Sequence, residues 1–431
     1  MKPEIIWINH AGYELRVGGL RIVHDPWLFG MAFGEGWALV SESRFDVSDF
    51  EGVDYIWFSH EHPDHFSPAV LKKIPEQVRA KITILFQETK DRRVVDFCAR
   101  LGFPIRELRN GEKTQLNDDV AVTCGTVGRD SWLFTETADC AIFNANDCVG
   151  IDWNAVASRI ARPVDLLLTQ FSYANWVGNP DDTERMAQAA ADKLREMDAQ
   201  LAAFEPDHLI PFASYVWFCR TENFHMNAQA NRIGAVHDRF KDKVDTIILY
   251  PGDHYRVGEP HDNASAIARY DADWRRHDAP IDLADKVVPL DEIIALGEAE
   301  QRRLRDKNML WLLRPLAWAR KIRPVSIYLE DLGTGVRYSM FGGVVASGIE
   351  RSACDLACSS ASFAAMLRSG FGYSTTWING RFRELAPGAS LALSRHFAIA
   401  ARNEEGDYLP GLLLRRDYVS MQLRRLASRS F

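Results

Sequence analysis

The stretch Val53-Asp54-Tyr55-Ile56-Trp57-Phe58-Ser59-His60-Glu61-His62-Pro63-Asp64-His65-Phe66 decides how the rest of the chain is read. Its first half is a run of aromatic and β-branched residues, the composition of a buried strand. Its second half sets three histidines and two carboxylates within six residues. A His-X-His-X-Asp-His run at the end of such a strand points several ligands from one turn toward one place. Imidazole and carboxylate together suit a borderline divalent or ferrous metal. With twelve histidines in 431 residues, three in six positions are improbable by chance, which favours a metal site over a solvated loop.

Around this motif the first 260 residues alternate strand-like and helix-like segments. Strands are expected at 5–8, 13–17 and 20–24, the last two joined by a Gly18-Gly19 hairpin turn. A helix at 67–74, begun by Ser67-Pro68, leads to a strand at 82–86. Further strands are expected at 120–124, 140–144, 166–169, 209–211 and 246–250. Met186, Ala190, Leu194, Met197 and Leu201 recur at helical spacing and predict a helix over 183–204.

Composition narrows the function. The chain is 47% hydrophobic and 26% charged, so a large core is available, and 431 residues suggest two or three domains. A net charge of −8 argues against a general nucleic-acid binder. No window approaches the roughly 18 apolar residues of a membrane span, and the start of the chain has no signal-peptide pattern. Seven scattered cysteines without a CxxC pair favour a reducing cytoplasm and argue against an iron–sulfur cluster in this chain.

The run His60-Glu61-His62-Pro63-Asp64-His65 resembles the signature of the metallo-β-lactamase fold superfamily. Ile8-Asn9-His10-Ala11-Gly12, followed by Ile22-Val23-His24-Asp25-Pro26-Trp27, is similar to the opening of its L-ascorbate 6-phosphate lactonase-like branch. Phe143-Asn144-Ala145-Asn146-Asp147-Cys148 is similar to the strand end that supplies the bridging aspartate. Over about residues 4–257 the resemblance implies an α/β fold, an αββα sandwich with the metal site at the shared edge of two mixed sheets. It gives His60 and His62 to one metal and Asp64 and His65 to the second, with Asp147 between them. Two divalent ions, zinc or iron with manganese as a third choice, are the expected cofactors. Asp64 is the expected catalytic residue, orienting a metal-bound hydroxide. The roles of His10 and Asp25 stay open between the edge of the site and structural hydrogen bonding.

Two departures from the pattern matter. No histidine lies between His65 and His208, and Thr126 stands where one is usual. A late strand ending in Ile210-Pro211 runs into Phe212-Ala213 instead of the usual last histidine. Asp130 is a replacement candidate at the first metal. Glu222, His225 and His254 are candidates at the second. Pro211-Phe212-Ala213 and the Asn-X-X-Asp-Cys strand end are similar to the corresponding part of the CMP-N-acetylneuraminate hydroxylases. That family implies iron and dioxygen chemistry fed by a Rieske cluster, whose Cys-X-His…Cys-X-X-His pattern this chain lacks. Oxygen ligands in place of imidazoles suit iron or manganese better than zinc.

Tyr173, Asn175 and Trp176 lie in a loop after a strand and are candidates to line a substrate pocket. Arg220 and Glu222 are candidates to meet a polar or anionic substrate. Residues 1–260 are thus read as the catalytic domain and 261–323 as a linker and helical segment with a break at Pro315. Its basic, tryptophan-rich second half reads as a packed helix with snorkelling arginines, and membrane docking is the alternative. Residues 324–431 read as a small α+β domain with hairpins at Gly333–Gly335 and Gly342-Gly343 and an amphipathic stretch at 353–367. Its alternatives are a sterol-carrier-protein-like fold and an interaction domain building a homodimer. The leading expectation is a cytoplasmic metallo-hydrolase acting on an ester, lactone, amide or phosphoester. The second is a dinuclear-iron oxygenase taking electrons from a separate redox partner, and the third is a non-catalytic metal binder.

Overall fold

The computed structural model describes residues 2–160, 162–416 and 419–420. The chain divides into two compact units. The first comprises Met1–Ala174, Asp182–Cys219 and Met226–Pro280, and the second comprises Asn175–Asp181, Arg220–His225 and Ile281–Phe431. The segment expected as linker and helix is therefore divided. The helix Asn263–Trp274 belongs to the first unit and the helix Leu290–Lys307 to the second.

Two seven-stranded mixed sheets build the first unit. In spatial order, one sheet runs His254–Arg256, Glu4–Asn9, Gly12–Val17, Leu20–His24, Tyr55–Phe58, Thr83–Gln87 and Ile105–Leu108. The other runs Asp245–Thr246, His208–Phe212, Leu166–Gln170, Ala141–Asn146, Asp130–Glu136, Ala121–Val127 and Lys113–Gln115. Side chains alternate across each strand, and the alternation sorts the core. Trp57 and Leu85 meet Val122, Cys124 and Leu133 between the sheets. Ile56, Phe58, Ile84 and Phe86 turn to the other face and pack on Val70, Leu71, Val94 and Val95 of the covering helices. On the second sheet Phe143 packs on Phe204 of the helix Thr183–Phe204, with ring centroids 4.4 Å apart. The result is the expected αββα sandwich.

Gly18 and Gly19 both have positive φ, as a two-residue hairpin loop demands. Gly125 is needed for space, since a Cβ there would stand 1.9 Å from the Trp132 ring on the neighbouring strand. Gly125→Ala is expected to destabilise the fold by about 1–3 kcal/mol through overpacking, read as a lower urea midpoint at unchanged m.

The strand expected over 246–250 stops at Thr246. Side chains satisfy the backbone beyond it: Ile248 donates its N–H to Asn263 Oδ1 at 2.8 Å, and its carbonyl lies 2.8 Å from His261 Nε2.

The second unit has a five-stranded sheet ordered Gly343–Ala346, Thr334–Ser339, Val325–Leu329, Leu356–Cys358 and Arg383–Glu384. The two expected hairpins are its first connections. The expected break at Pro315 falls earlier, at Asn308, which is extended and ends the helix Leu290–Lys307. Pro315 instead opens the short helix Arg314–Trp318, where its missing N–H costs nothing. The amphipathic stretch 353–367 spans two elements. It holds the strand Leu356–Cys358 and then the helix Ser360–Arg368, capped by Ser359.

Glu300 is buried beneath this sheet and accepts a 2.6 Å hydrogen bond from Tyr338. Burial pushes its carboxyl up to about 7, against the Tyr338 hydrogen bond and the Arg303 charge. A raised folded-state value means stability is fully present below pH 4.5 and is lost as pH rises through about 7. The loss is roughly 3 kcal/mol. Urea midpoints of the full chain are expected to fall across that window, and Glu300→Gln is expected to flatten the fall.

Candidate metal centre

The Tyr55–Phe58 strand is parallel to its neighbours Leu20–His24 and Thr83–Gln87, so their carboxyl ends share one edge of the sheet. Directly beyond Phe58 the chain turns back on itself. His65 and Phe66 donate their N–H groups to the His62 carbonyl at 3.0 and 2.7 Å. Ser59 anchors this turn: its N–H and hydroxyl bond Asp25 at 2.8 and 2.7 Å, and its carbonyl accepts from Ser131 at 2.6 Å.

Four strand ends deliver the other residues, each through a non-glycine residue with positive φ: His10, Asp25, Asn146 and Ala213. That conformation is costly for such residues and concentrates where a site over-determines the backbone. Asn146 also donates to Asp25 at 2.8 Å, and Asp147 follows it. Asp130 is the first residue of its strand, opposite Val127 in the hairpin register.

Three groups of potential ligand atoms result, each within 4.8 Å: His60, His62 and Asp130; His60, His65 and Asp147; and His10, Asp64 and His65. His60 Nε2 lies 2.7 Å from His62 Nδ1 and 3.9 Å from Asp130. His65 Nε2 lies 3.3 Å from Asp147 and 3.4 Å from Asp64, and His10 Nε2 is 3.2 Å from Asp64. His10 Nδ1, Asp64 Oδ1, His65 Nε2 and Asp147 Oδ1 are buried with no hydrogen-bond partner. Buried polar atoms are normally satisfied, so these orphans, brought together by the turn after Phe58 and by two other strand ends, fit metal ions.

The electrostatics agree. Burial lowers His60 to about 4, with the His65 charge adding to it. Burial, then the His60 charge, lowers His62 to about 3, so both imidazoles stay neutral and keep a free lone pair. Burial opposes ionisation of Asp147, yet the charge of nearby His65 holds it at about 2. Asp64 is held well below the usual range, as the His65 charge and the His10 hydrogen bond overcome burial. Burial works against a charge on His65, but Asp64, Asp147 and Asp25 together hold its proton well above the usual range. A cation placed among these carboxylates would take over the role of that proton.

The structure brings together His60, His62, Asp64, His65 and Asp147 with the candidate Asp130, and adds His10, whose role the sequence left open. At the position expected for the last histidine, Ala213 donates its N–H to the His10 carbonyl at 2.9 Å. The residue without an imidazole thus fixes the backbone of one that has it. Gly12 lets the strand ends close up beside His10, because a Cβ there would meet the Asp25 and Asn9 carbonyls at 3.1 and 3.2 Å.

His254 is a correction. It sits on an edge strand opposite Ile6, more than half exposed, with its ring 3.6 Å from Glu4, and it joins none of the three groups. His225 also joins none of them, and its Nε2 meets the Gly178 carbonyl at 3.0 Å within the second unit. Tyr173 is buried in the first unit and donates to the Met226 carbonyl. Asn175, Trp176, Arg220 and Glu222 belong to the second unit. There Asn175 donates to the Trp176 carbonyl, and Trp176 packs on Phe382 and Trp377. Arg220 bonds Asp285 at 2.8 Å, and Glu222 accepts from Arg381 at 2.9 Å.

One residue at the site was not anticipated. Lys193, from the helix Thr183–Phe204, donates to Gln170, and burial lowers its pKa against the pull of Asp147, Glu196 and Asp130. Its lysine is unmarked in a helix whose polar positions all read as solvated.

Residues 4–118 match the family profile described as a beta-lactamase superfamily domain, and the chain carries the metallo-β-lactamase fold. The cytidine monophosphate-N-acetylneuraminic acid hydroxylase of Xenopus laevis is 38% identical over 88 residues, 20% of this chain and 15% of that protein. The Sus scrofa hydroxylase is 44% identical over 70 residues, 16% of each protein. The matched stretch therefore spans less than a fifth of those relatives' length. Among solved structures, the diiron beta-hydroxylase CmlA from Streptomyces venezuelae aligns over 59% of this chain and 54% of its own, at 15% identity and TM-score 0.43. The metallo hydrolase Igni18 of Ignicoccus hospitalis aligns over 60% of this chain and 100% of its own, at 12% identity and TM-score 0.40. Among the described residues no helix is long and apolar enough to cross a membrane.

Proposed function

We propose that this chain is a dinuclear-iron oxygenase that hydroxylates a polar, anionic small molecule. The observation that carries this reading is the donor set, in which Asp64, Asp130 and Asp147 stand with only four imidazoles. A set this rich in carboxylate oxygen is harder than one completed by histidines and favours iron over zinc. The local identity to hydroxylases supports the same choice.

His60, His62 and Asp130 would hold one ion and His10, Asp64 and His65 the other, with Asp147 between them. Bound iron supplies dioxygen chemistry with the balance R–H + O2 + 2 e⁻ + 2 H⁺ → R–OH + H2O. The two electrons come from a separate carrier protein, since the seven cysteines are isolated in sequence and buried as free thiols. Asp25 holds His65 by Nδ1 at 3.0 Å and so directs Nε2 into the cluster. Buried Trp27 and Phe33 stand edge-on to His10 and His62 and keep water from those ligands. The Lys193 ammonium offers a partner for an anionic substrate group.

Hydrolysis at a pair of zinc ions is the second reading, favoured by the beta-lactamase superfamily match over residues 4–118. Metal-free protein reloaded anaerobically with ferrous iron, or aerobically with zinc, separates the two. The oxygenase reading expects an oxygen-sensitive visible spectrum with iron, and dioxygen uptake when a reductant is added. Turnover of a generic lactone or phosphodiester by the zinc form alone would overturn it.

A further inference from the structure

The segment after Asn308 carries an amphipathic pattern with its tryptophans on the wrong side for a core. Leu310, Leu313 and Ile322 enter a small cluster with Leu304, Met340, Ile399, Leu409 and Leu412. Trp311 and Trp318, seven residues apart on the opposite face, are 64% and 80% exposed. The expected packed helix with snorkelling arginines is therefore not what forms. Met309 is 49% exposed beside them, and Leu413 and Leu414 on the short helix Gly411–Leu414 are 45% and 84% exposed. The two segments adjoin, because Leu409 donates its N–H to Asn308 Oδ1 at 2.9 Å and Lys307 stands 6.0 Å above the Tyr408 ring. Isolated exposed apolar side chains are ordinary, but a clustered set around two tryptophans marks an interaction surface.

Charge identifies what covers it. Residues 302–323 contain Arg302, Arg303, Arg305, Lys307, Arg314, Arg320, Lys321 and Arg323 against the single acid Asp306, in a chain whose net charge is −8. Arg302 and Arg323 are engaged by Glu298 and Asp355. Arg314, Arg320 and Lys321 are exposed and make no ion pair among the described residues. A second copy of the chain fits poorly, since a two-fold interface would set this cationic patch against itself. Nucleic acid would use the indoles and cations but would leave Met309, Leu413 and Leu414 without partners. A bilayer uses all of them. Indoles settle at the level of the headgroups, aliphatic side chains enter the acyl boundary and cations meet anionic headgroups.

We propose that the outward face of residues 309–318, with Leu413 and Leu414, docks the protein peripherally on an anionic phospholipid surface. Flotation of the full, metal-loaded chain with vesicles of phosphatidylcholine plus phosphatidylglycerol tests this, with phosphatidylcholine alone as the reference. Binding is expected to the anionic vesicles only, to weaken with added salt, and to be accompanied by quenching of tryptophan fluorescence by brominated lipid. Arg320→Ala and Lys321→Ala are each expected to weaken binding about fivefold at low salt. The double variant Trp311→Ala/Trp318→Ala is expected to lose at least about tenfold in binding and most of the quenching while keeping its metal. Equal binding to both vesicle types, or wild-type binding by the double variant, would overturn the proposal. So would a concentration-dependent dimer, or salt-sensitive binding to single-stranded DNA, that the same double variant abolishes without any vesicle binding by the wild type.

Discussion

Asp147→Asn is expected to empty the metal centre while leaving the metal-free fold intact. The Asp147 carboxylate is partly buried 3.3 Å from His65 Nε2, with Oδ1 inaccessible and unpartnered, and the His65 charge holds it ionised against burial. In the metal-free protein the attraction of His65 outweighs burial and the repulsion from Asp64, so the ionised group contributes modestly to the bare fold. The amide variant removes the charge, keeps the shape and retains the backbone N–H bond to Asn146 Oδ1 at 2.9 Å. Metal affinity is expected to fall by more than the roughly 10–100-fold that losing an outer partner costs, and activity with it. The thermal midpoint of the metal-free protein is expected to fall only modestly, by the loss of the His65 attraction. Ligand-linked stabilisation by added metal, which scales with the logarithm of its concentration over Kd, should largely vanish. A variant that kept both metals would remove Asp147 from the centre.

Asp25→Ala is expected to behave in the opposite way, damaging the fold first. Asp25 is fully buried and accepts from Ser59 N, Ser59 Oγ, Asn146 Nδ2 and His65 Nδ1 at 2.7–3.0 Å. Burial works against its charge, but His65, through its charge and its hydrogen bond, holds the carboxyl low. Removing it strands four buried groups, one of them the His65 cation, a loss of about 3–5 kcal/mol. The metal-free thermal midpoint should therefore drop sharply. The milder Asp25→Asn keeps the volume but gives up the charge that fixes His65. It is expected to hold the fold and lose about 10–100-fold in metal affinity. An Asp25→Ala protein as stable as the wild type would show that this network carries no weight.

The contrast between these two aspartates mirrors what could be read from the sequence. Asp147, His60, His62, Asp64 and His65 stand out because their ligand chemistry is local, written within a turn or at the end of an apolar strand. His10 and Asp130 were harder, for they reach the site through pairing. His10 comes from the first strand, its backbone held by Ala213 some two hundred residues on. Asp130 arrives through the hairpin register that sets it opposite Val127. No local pattern marks either residue as a ligand. His254 misled for a related reason, since a histidine after Pro251-Gly252-Asp253 reads as a loop ligand. It is instead paired along a sheet edge.

The alternating strands and the long helix over 183–204 were legible because periodicity is a property of adjacent residues. The capture of Asn175–Asp181 and Arg220–His225 by the second unit was not, because their partners Trp377, Asp285 and Arg381 lie far along the chain. The break at Asn308 escaped for a smaller reason. Pro315 is the conspicuous breaker in the sequence, yet it opens a helix here, and Asn308 turns the chain with its side chain bonded to the Leu304 carbonyl at 2.8 Å.

Metal stoichiometry of the protein purified without added metal tests the central claim most directly. A centre built from His10, His60, His62, Asp64, His65, Asp130 and Asp147 predicts two ions per chain, iron in the majority, with half or more of the metal lost when Asp130 becomes alanine. Less than about half an ion per chain under every condition, or a full complement in the Asp130→Ala protein, would contradict it.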